Sequence, residues 1–320
     1  MELTEEQTAQ QGASEQSDPQ PEVPAAKQPA AKKRKRRFGD RKDGRKLRTI
    51  SPMTRVGAYL MDERCGSQNY ITVPINCEKV DRYLAEKKAQ GYQMTFMHVL
   101  IATYIRTVSQ YPGVNRFVAG NKIFARNDIE IMLVIKREMS LLSPDTALKG
   151  FFEKDATIFD VYNEFNRLID GYRNHPDSGF DKATKALNYI PGFLLRFAAA
   201  LMRGLDYIGL LPQALCKVSP FHGSMFITSM GSLGIPPIYH HLYDFGNVPV
   251  FLSFGSKYRK MVITEDGETK KESYIDFTAV LDERICDGFY YASALKHILR
   301  CLRNPWVLDT PPAEIKEDIE

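Results

Sequence analysis

The chain has 320 residues, 43% of them hydrophobic and 26% charged, which suits one large globular domain or two small ones and excludes a wholly disordered protein. No run of 18 uncharged apolar residues occurs; residues 190–211 come nearest, but Arg196, Arg203 and Asp206 interrupt them at a high cost in lipid, so no membrane span is expected. The net charge of +4 hides a polarised start: residues 1–31 hold six acidic residues and one lysine, residues 32–48 hold eleven basic and two acidic residues, and 49–320 is neutral.

Residues 1–45 read as a disordered tail, because Gln, Glu, Pro and Ala dominate there and little apolar surface is available to offset the entropy of ordering. The start has no charged residues followed by an apolar run, so no secretory signal is expected and the chain is placed in the cytoplasm. Its basic run, Lys32-Lys33-Arg34-Lys35-Arg36-Arg37, has the charge to meet an acidic partner, nucleic acid or an anionic membrane surface. A solvated linker explains it as well, since nothing aromatic interleaves the charges. The cysteines, Cys65, Cys77, Cys216, Cys286 and Cys301, are odd in number and lack paired short spacing, so reduced thiols are expected rather than disulfides or a zinc site.

From Ser51 onward helices and strands alternate irregularly, as in a mixed α/β domain with flanking helices. Residues 69–75, rich in Tyr, Ile, Thr and Val, predict a strand, and a helix follows over 78–90, stopped by Gly91. A mostly apolar helix is expected over 95–110 with Thr95 as its cap. Gly120-Asn121 marks a tight hairpin between 116–119 and 122–125, and 129–136 reads as a central strand. Helices are expected over 156–172 and 184–210, the latter broken at Pro191-Gly192, with a polar connection containing Pro176 and Gly179 between them. The greasy stretch 191–211 reads as a buried helix or a subunit contact. Strands follow at 224–229, 248–254, 261–264 and 274–281, with Glu265-Asp266-Gly267 starting the last hairpin, and a helix over 289–302 ends the domain.

The most informative segment is Asp282-Glu283-Arg284-Ile285-Cys286-Asp287-Gly288-Phe289, set between the last strand and the last helix. It resembles the signature of the chloramphenicol acetyltransferase and dihydrolipoyl acyltransferase superfamily. The resemblance continues in order through Arg48-Thr49-Ile50-Ser51-Pro52-Met53, Val114-Asn115-Arg116-Phe117, Phe226-Ile227-Thr228-Ser229-Met230-Gly231-Ser232-Leu233-Gly234 and residues 248–255, covering roughly 48–303. It implies a chloramphenicol acetyltransferase-like fold, a coenzyme A-dependent acyltransferase domain over 46–304 and a C-terminal tail over 305–320. It also implies a homotrimer that passes an acyl group between coenzyme A, or a lipoyl thiol, and an acceptor across a subunit interface.

In that family a histidine takes the attacking proton, and the matching position here is Glu283. A glutamate's resting pKa lies about two units below a histidine's, so a carboxylate is the weaker base toward a thiol unless burial raises it. Thr228 matches the hydroxyl that hydrogen-bonds the tetrahedral oxyanion. Asp287 matches the aspartate held in a structural ion pair, with Arg55 its partner by place in the chain. His222 is the alternative base; His240-His241, with only Asp244 near, reads as ordinary imidazoles rather than a metal site. Ser219 and His222 suggest a hydrolase pair, but no Gly-x-Ser-x-Gly elbow or third member is assignable. No lipoyl-bearing segment and no metal requirement are found. The resemblance therefore leaves two expectations: an acyltransferase working through Glu283, or a catalytically silent trimeric binding or scaffold protein.

Overall fold

Ten strands and seven α-helices are defined in a computed structural model that describes residues 35–136, 145–174 and 189–320. The chain divides into Met1–Lys35 and Arg36–Glu320. In the second unit, β1 (Gly44–Lys46) leads into α1 (Pro52–Leu60), β2 (Gln68–Asn76), α2 (Glu78–Ala89) and α3 (Phe96–Gln110). The hairpin β3 (Arg116–Ala119) and β4 (Lys122–Arg126) precedes β5 (Ile129–Lys136), β6 (Asp145–Phe152) and α4 (Ile158–Asn174). Next come α5 (Gly192–Tyr207), α6 (Gln213–Val218), β7 (Met225–Ser229), β8 (Val250–Phe254), β9 (Tyr258–Ile263), β10 (Thr269–Asp282) and α7 (Gly288–Arg303).

Local chemistry sets many of these boundaries. Ser51 caps α1 by accepting from the Thr54 amide at 3.1 Å, and Pro52 supplies a pre-set φ at the first position. Thr95 and His98 form a reciprocal cap on α3, the Thr95 amide donating to His98 Nδ1 at 3.0 Å. Gly120 and Asn121, both at positive φ, close the β3–β4 hairpin in the handed turn that a two-residue connection favours.

One mixed sheet organises the fold in the order β2-β10-β8-β7-β5-β6, with β9 paired to β10. The β5–β7 and β7–β8 pairs are parallel and the others antiparallel. A smaller sheet runs β1-β4-β3. Alternation along the strands sends Ile131, Met225, Ile227, Leu252, Phe277 and Ala279 into the main core, beneath α2, α3, α4 and α7. Met132, Phe226, Phe251 and Val280 face the other way, under Leu242 and Tyr243.

Three expectations change. The compact unit starts about ten residues before position 46, because Arg41 is buried against Asp43 and Asp206 and Gly44–Lys46 pairs with β4. Residues 305–320 are docked rather than a tail: Pro305–Asp309 is a 3-10 turn, Asp318 pairs with buried Arg116 at 2.5 Å, and the Arg48 and Thr49 amides donate to Glu320 O. The helix expected within 191–211 forms, but its apolar side chains are exposed in the single chain, including Phe193 at 73% and Phe197 at 66%, which removes the buried-helix alternative and is compatible with the subunit contact. The polar connection at 176–179 and residues 184–188 lie outside the described residues.

Candidate active site

Thr228 sits in β7, where alternation puts it on the face of Phe226 and opposite the main core. Register places it beside Ser253 of β8, which lies beside Thr278 of β10, which lies beside Thr72 of β2. Paired residues in a sheet share a face, so four hydroxyls form one row across it. The loop 236–239 covers most of that row: Ser253 Oγ accepts from the Ile238 amide at 3.3 Å, Thr278 Oγ1 donates to Ile238 O at 2.7 Å, and Thr72 bonds the Tyr239 hydroxyl. Half-buried Thr228 alone in the row keeps its hydroxyl without a partner among the described residues.

Glu283 begins a 3-10 turn directly after β10. Asp282 anchors that turn: it accepts from the Arg284 amide at 3.1 Å and from Arg284 Nε and Nη2 at 2.8 Å each, and Arg64 Nε reaches it at 3.2 Å. All three side chains are buried, and Tyr291 donates to the Asp282 carbonyl at 2.6 Å. Burial pulls the Arg64 guanidinium below its ordinary pKa against the attraction of Asp282, and neighbouring Arg284 adds to the drop. Since Arg284 is consumed by Asp282, Glu283 is left exposed and unpartnered among the described residues.

Asp287 caps α7, accepting from the Tyr290 amide at 2.8 Å, while Arg55 donates to Arg48 O. The expected Arg55–Asp287 ion pair is absent; both groups are exposed, and their local backbone partners are nearer. The buried ionic lock of this segment is instead Asp282 with Arg64 and Arg284. Arg64 comes from 218 positions away in sequence, and no local signal marks it.

Within one chain Thr228 and Glu283 stand far apart. Two strand spacings and five residues along β10 separate them, roughly 19 Å by standard sheet dimensions, at opposite ends of the strands. One chain alone therefore does not bring the two groups together.

His222 is only 1% exposed, which keeps its imidazole from an external substrate. Its Nδ1 lies 2.9 Å from Ser219 Oγ and its Nε2 lies 3.5 Å from Asp206 Oδ2, beyond good hydrogen-bond geometry. Asp206 is the third member that local sequence did not show. Burial raises its pKa, but His222 and Arg41 outweigh that and bring it down to about 2, so it is an anion fixed by Arg41 at 2.6 Å. This closed cluster ties α5 to the chain start and the β7 approach. His240 stacks on Phe251 with centroids 4.2 Å apart, a packing role. Beside the Glu283 turn a cleft of about 220 Å³ is lined by Asp62, Glu63, Arg64, Arg203, Asp244 and Arg284. Cys286, three residues on, is buried, and burial pushes its thiol up to about 12, which disfavours the reactive thiolate.

The mixed sheet with flanking helices, the strand order and the turn after β10 define a protein with the chloramphenicol acetyltransferase-like acyltransferase fold. Among solved structures the chain is similar to a probable dihydrolipoamide acetyltransferase from Listeria monocytogenes, at 18% identity and TM-score 0.51, covering 81% of this chain and 94% of that one. It is also similar to the dihydrolipoamide acetyltransferase of Azotobacter vinelandii (12% identity, TM-score 0.47, 89% and 99% covered) and to a chloramphenicol acetyltransferase (14%, 0.48, 80% and 99%). No protein-family model and no curated protein sequence matches the chain.

Proposed function

We propose that this chain is an acyltransferase using acyl thioesters, coenzyme A or lipoyl-bound, with active sites formed between copies of a homotrimer. One observation supports the reading: Glu283 and Thr228 are the acid-base group and hydroxyl of the resembling motifs, each unpartnered among the described residues, and they lie towards opposite ends of the main sheet. Neighbouring copies then complete each other. The fold shared with acyltransferases supports the reaction class.

In this mechanism Glu283 of one copy takes the proton of the attacking thiol or hydroxyl. The new bond forms at the thioester carbonyl carbon, and Thr228 of the next copy donates a hydrogen bond to the oxyanion. Collapse breaks the carbon–sulfur bond, and the departing thiolate recovers the proton from Glu283. The Asp282–Arg64–Arg284 lock holds the turn that aims the carboxylate.

A second reading is a silent trimeric binding or scaffold protein. It is favoured by the exposure of Glu283, since a solvated carboxylate is a poor base for a thiol. Thiol release from a panel of acyl-coenzyme A donors decides between them. Turnover that falls by about a hundredfold in Glu283→Gln, in the range of general-base effects, supports transfer. No turnover, or turnover indifferent to Glu283→Gln, overturns it and leaves the scaffold.

A further inference from the structure

Helix α5 is built inside out. Its acidic residue, Asp206, faces the body and is buried against Arg41, with Leu195 and Ala199 half-buried on the same side. Phe193, Phe197 and Leu201, spaced i, i+4 and i+8, form a stripe on the opposite side and are 73%, 66% and 52% exposed. Nothing among the described residues covers that stripe. Beyond α5 the exposed apolar surface continues through Tyr207, Ile208 and Leu210 to Leu215 and Val218 of α6.

Charge identifies what the stripe meets. Arg196 and Arg203, seven residues apart on one flank of α5, are exposed and unpartnered among the described residues, and Lys217 of α6 is exposed. Arg41 grips Asp206 of α5, and of its neighbours in sequence Arg36, Lys42 and Phe38 are exposed, while Arg37 pairs with Glu320 at 3.2 Å. A phenylalanine-leucine face flanked by arginines is the composition of a helix lying in the headgroup region of an anionic bilayer. A second copy of the same face suits it poorly, because it brings the same cations against each other. A nucleic acid has no use for the apolar stripe.

We propose that α5 and α6, assisted by Lys42, dock the protein on anionic lipid surfaces, α5 lying in the plane of the interface. No described helix is long and apolar enough to cross a membrane, which fits in-plane binding. The proposal is independent of catalysis by Glu283.

The test is flotation of the full chain with phosphatidylcholine vesicles, with and without phosphatidylserine, at low and high salt. The full chain is expected to float with the anionic vesicles, less with the neutral ones, and less as salt rises. The pair Phe197→Glu and Leu201→Glu should lower partitioning by more than about tenfold, the loss expected from two apolar side chains. Both positions are exposed, so an unchanged circular dichroism spectrum and melting temperature confirm folding. The set Lys42→Gln, Arg196→Gln and Arg203→Gln should weaken the preference for phosphatidylserine. Failure to float with anionic vesicles, or flotation indifferent to the apolar pair, overturns the proposal. So does a change of oligomeric size in the apolar pair without vesicles, which assigns the face to a second copy, or salt-sensitive binding to RNA with no vesicle binding.

Discussion

Thr228 lies near the end of β7 and Glu283 directly follows β10, two strands away and at the opposite end of the sheet, each with its functional atoms free among the described residues. If a catalytic pocket uses both, it is made in trans. Mixing refolded Glu283→Gln chains with Thr228→Val chains should then restore turnover to about one quarter of the wild-type level, the fraction of cyclic contacts that pair an intact Glu283 with an intact Thr228. A mixture as inactive as its two components argues for independent sites.

Among the described residues, Asp282 is the carboxylate bonded to both buried guanidiniums, Arg64 and Arg284. Asp282→Ala should cost about 3–5 kcal/mol of folding stability, the range for breaking a buried pair from one side. Glu283→Gln, one residue on and exposed, should stay within about 0.5 kcal/mol of wild type. Urea unfolding of both variants checks the contrast; equal losses would remove the distinction between anchor and presented group.

His98 should make the fold acid-sensitive. Burial against Phe165 and Tyr162 lowers its pKa from 6.5 to about 4, and its Nδ1 accepts the Thr95 amide, so the cap requires the neutral ring. Between those values the unfolded chain binds the proton and the folded chain does not. The contribution is therefore complete above pH 6.5 and shrinks as pH falls toward 4, by about 3 kcal/mol in all. Stability measured from pH 7 to 4.5 should fall less steeply in His98→Gln.

Asp318 holds the end of the chain to Arg116 through two contacts, 2.5 and 2.8 Å long, both side chains buried. Removing the carboxylate in Asp318→Ala leaves Arg116 buried without its counter-ion and should cost about 3 kcal/mol or more. A shift of the urea midpoint within error of wild type would mean that the C-terminal segment carries no stability.

Much of the fold was legible because its signals are local. Gly120-Asn121 chose a hairpin, Thr95 started α3, and Tyr, Ile, Thr and Val alternation marked β2, all through interactions within a few residues. Strand β6 and the first paired residues, Gly44–Lys46, were not anticipated, because edge pairing depends on a partner strand more than on composition. Glu283 and Thr228 were selectable from their motifs, whereas Arg64 and Asp206 were not: their roles come from partners 218 and 165 positions away.

From residue order alone came the mixed α/β class and most of the elements, since side-chain periodicity and turn chemistry act over short range, while Glu283 and Thr228 were picked out by the resemblance of their motifs. Folding in three dimensions settled burial and pairing. It closed His222 away with Asp206, gave Asp282 rather than Asp287 the buried arginines, and turned the greasy side of α5 outward. Burial and ion pairing depend on which distant segments arrive at the same place, and a linear pattern carries no record of that arrival.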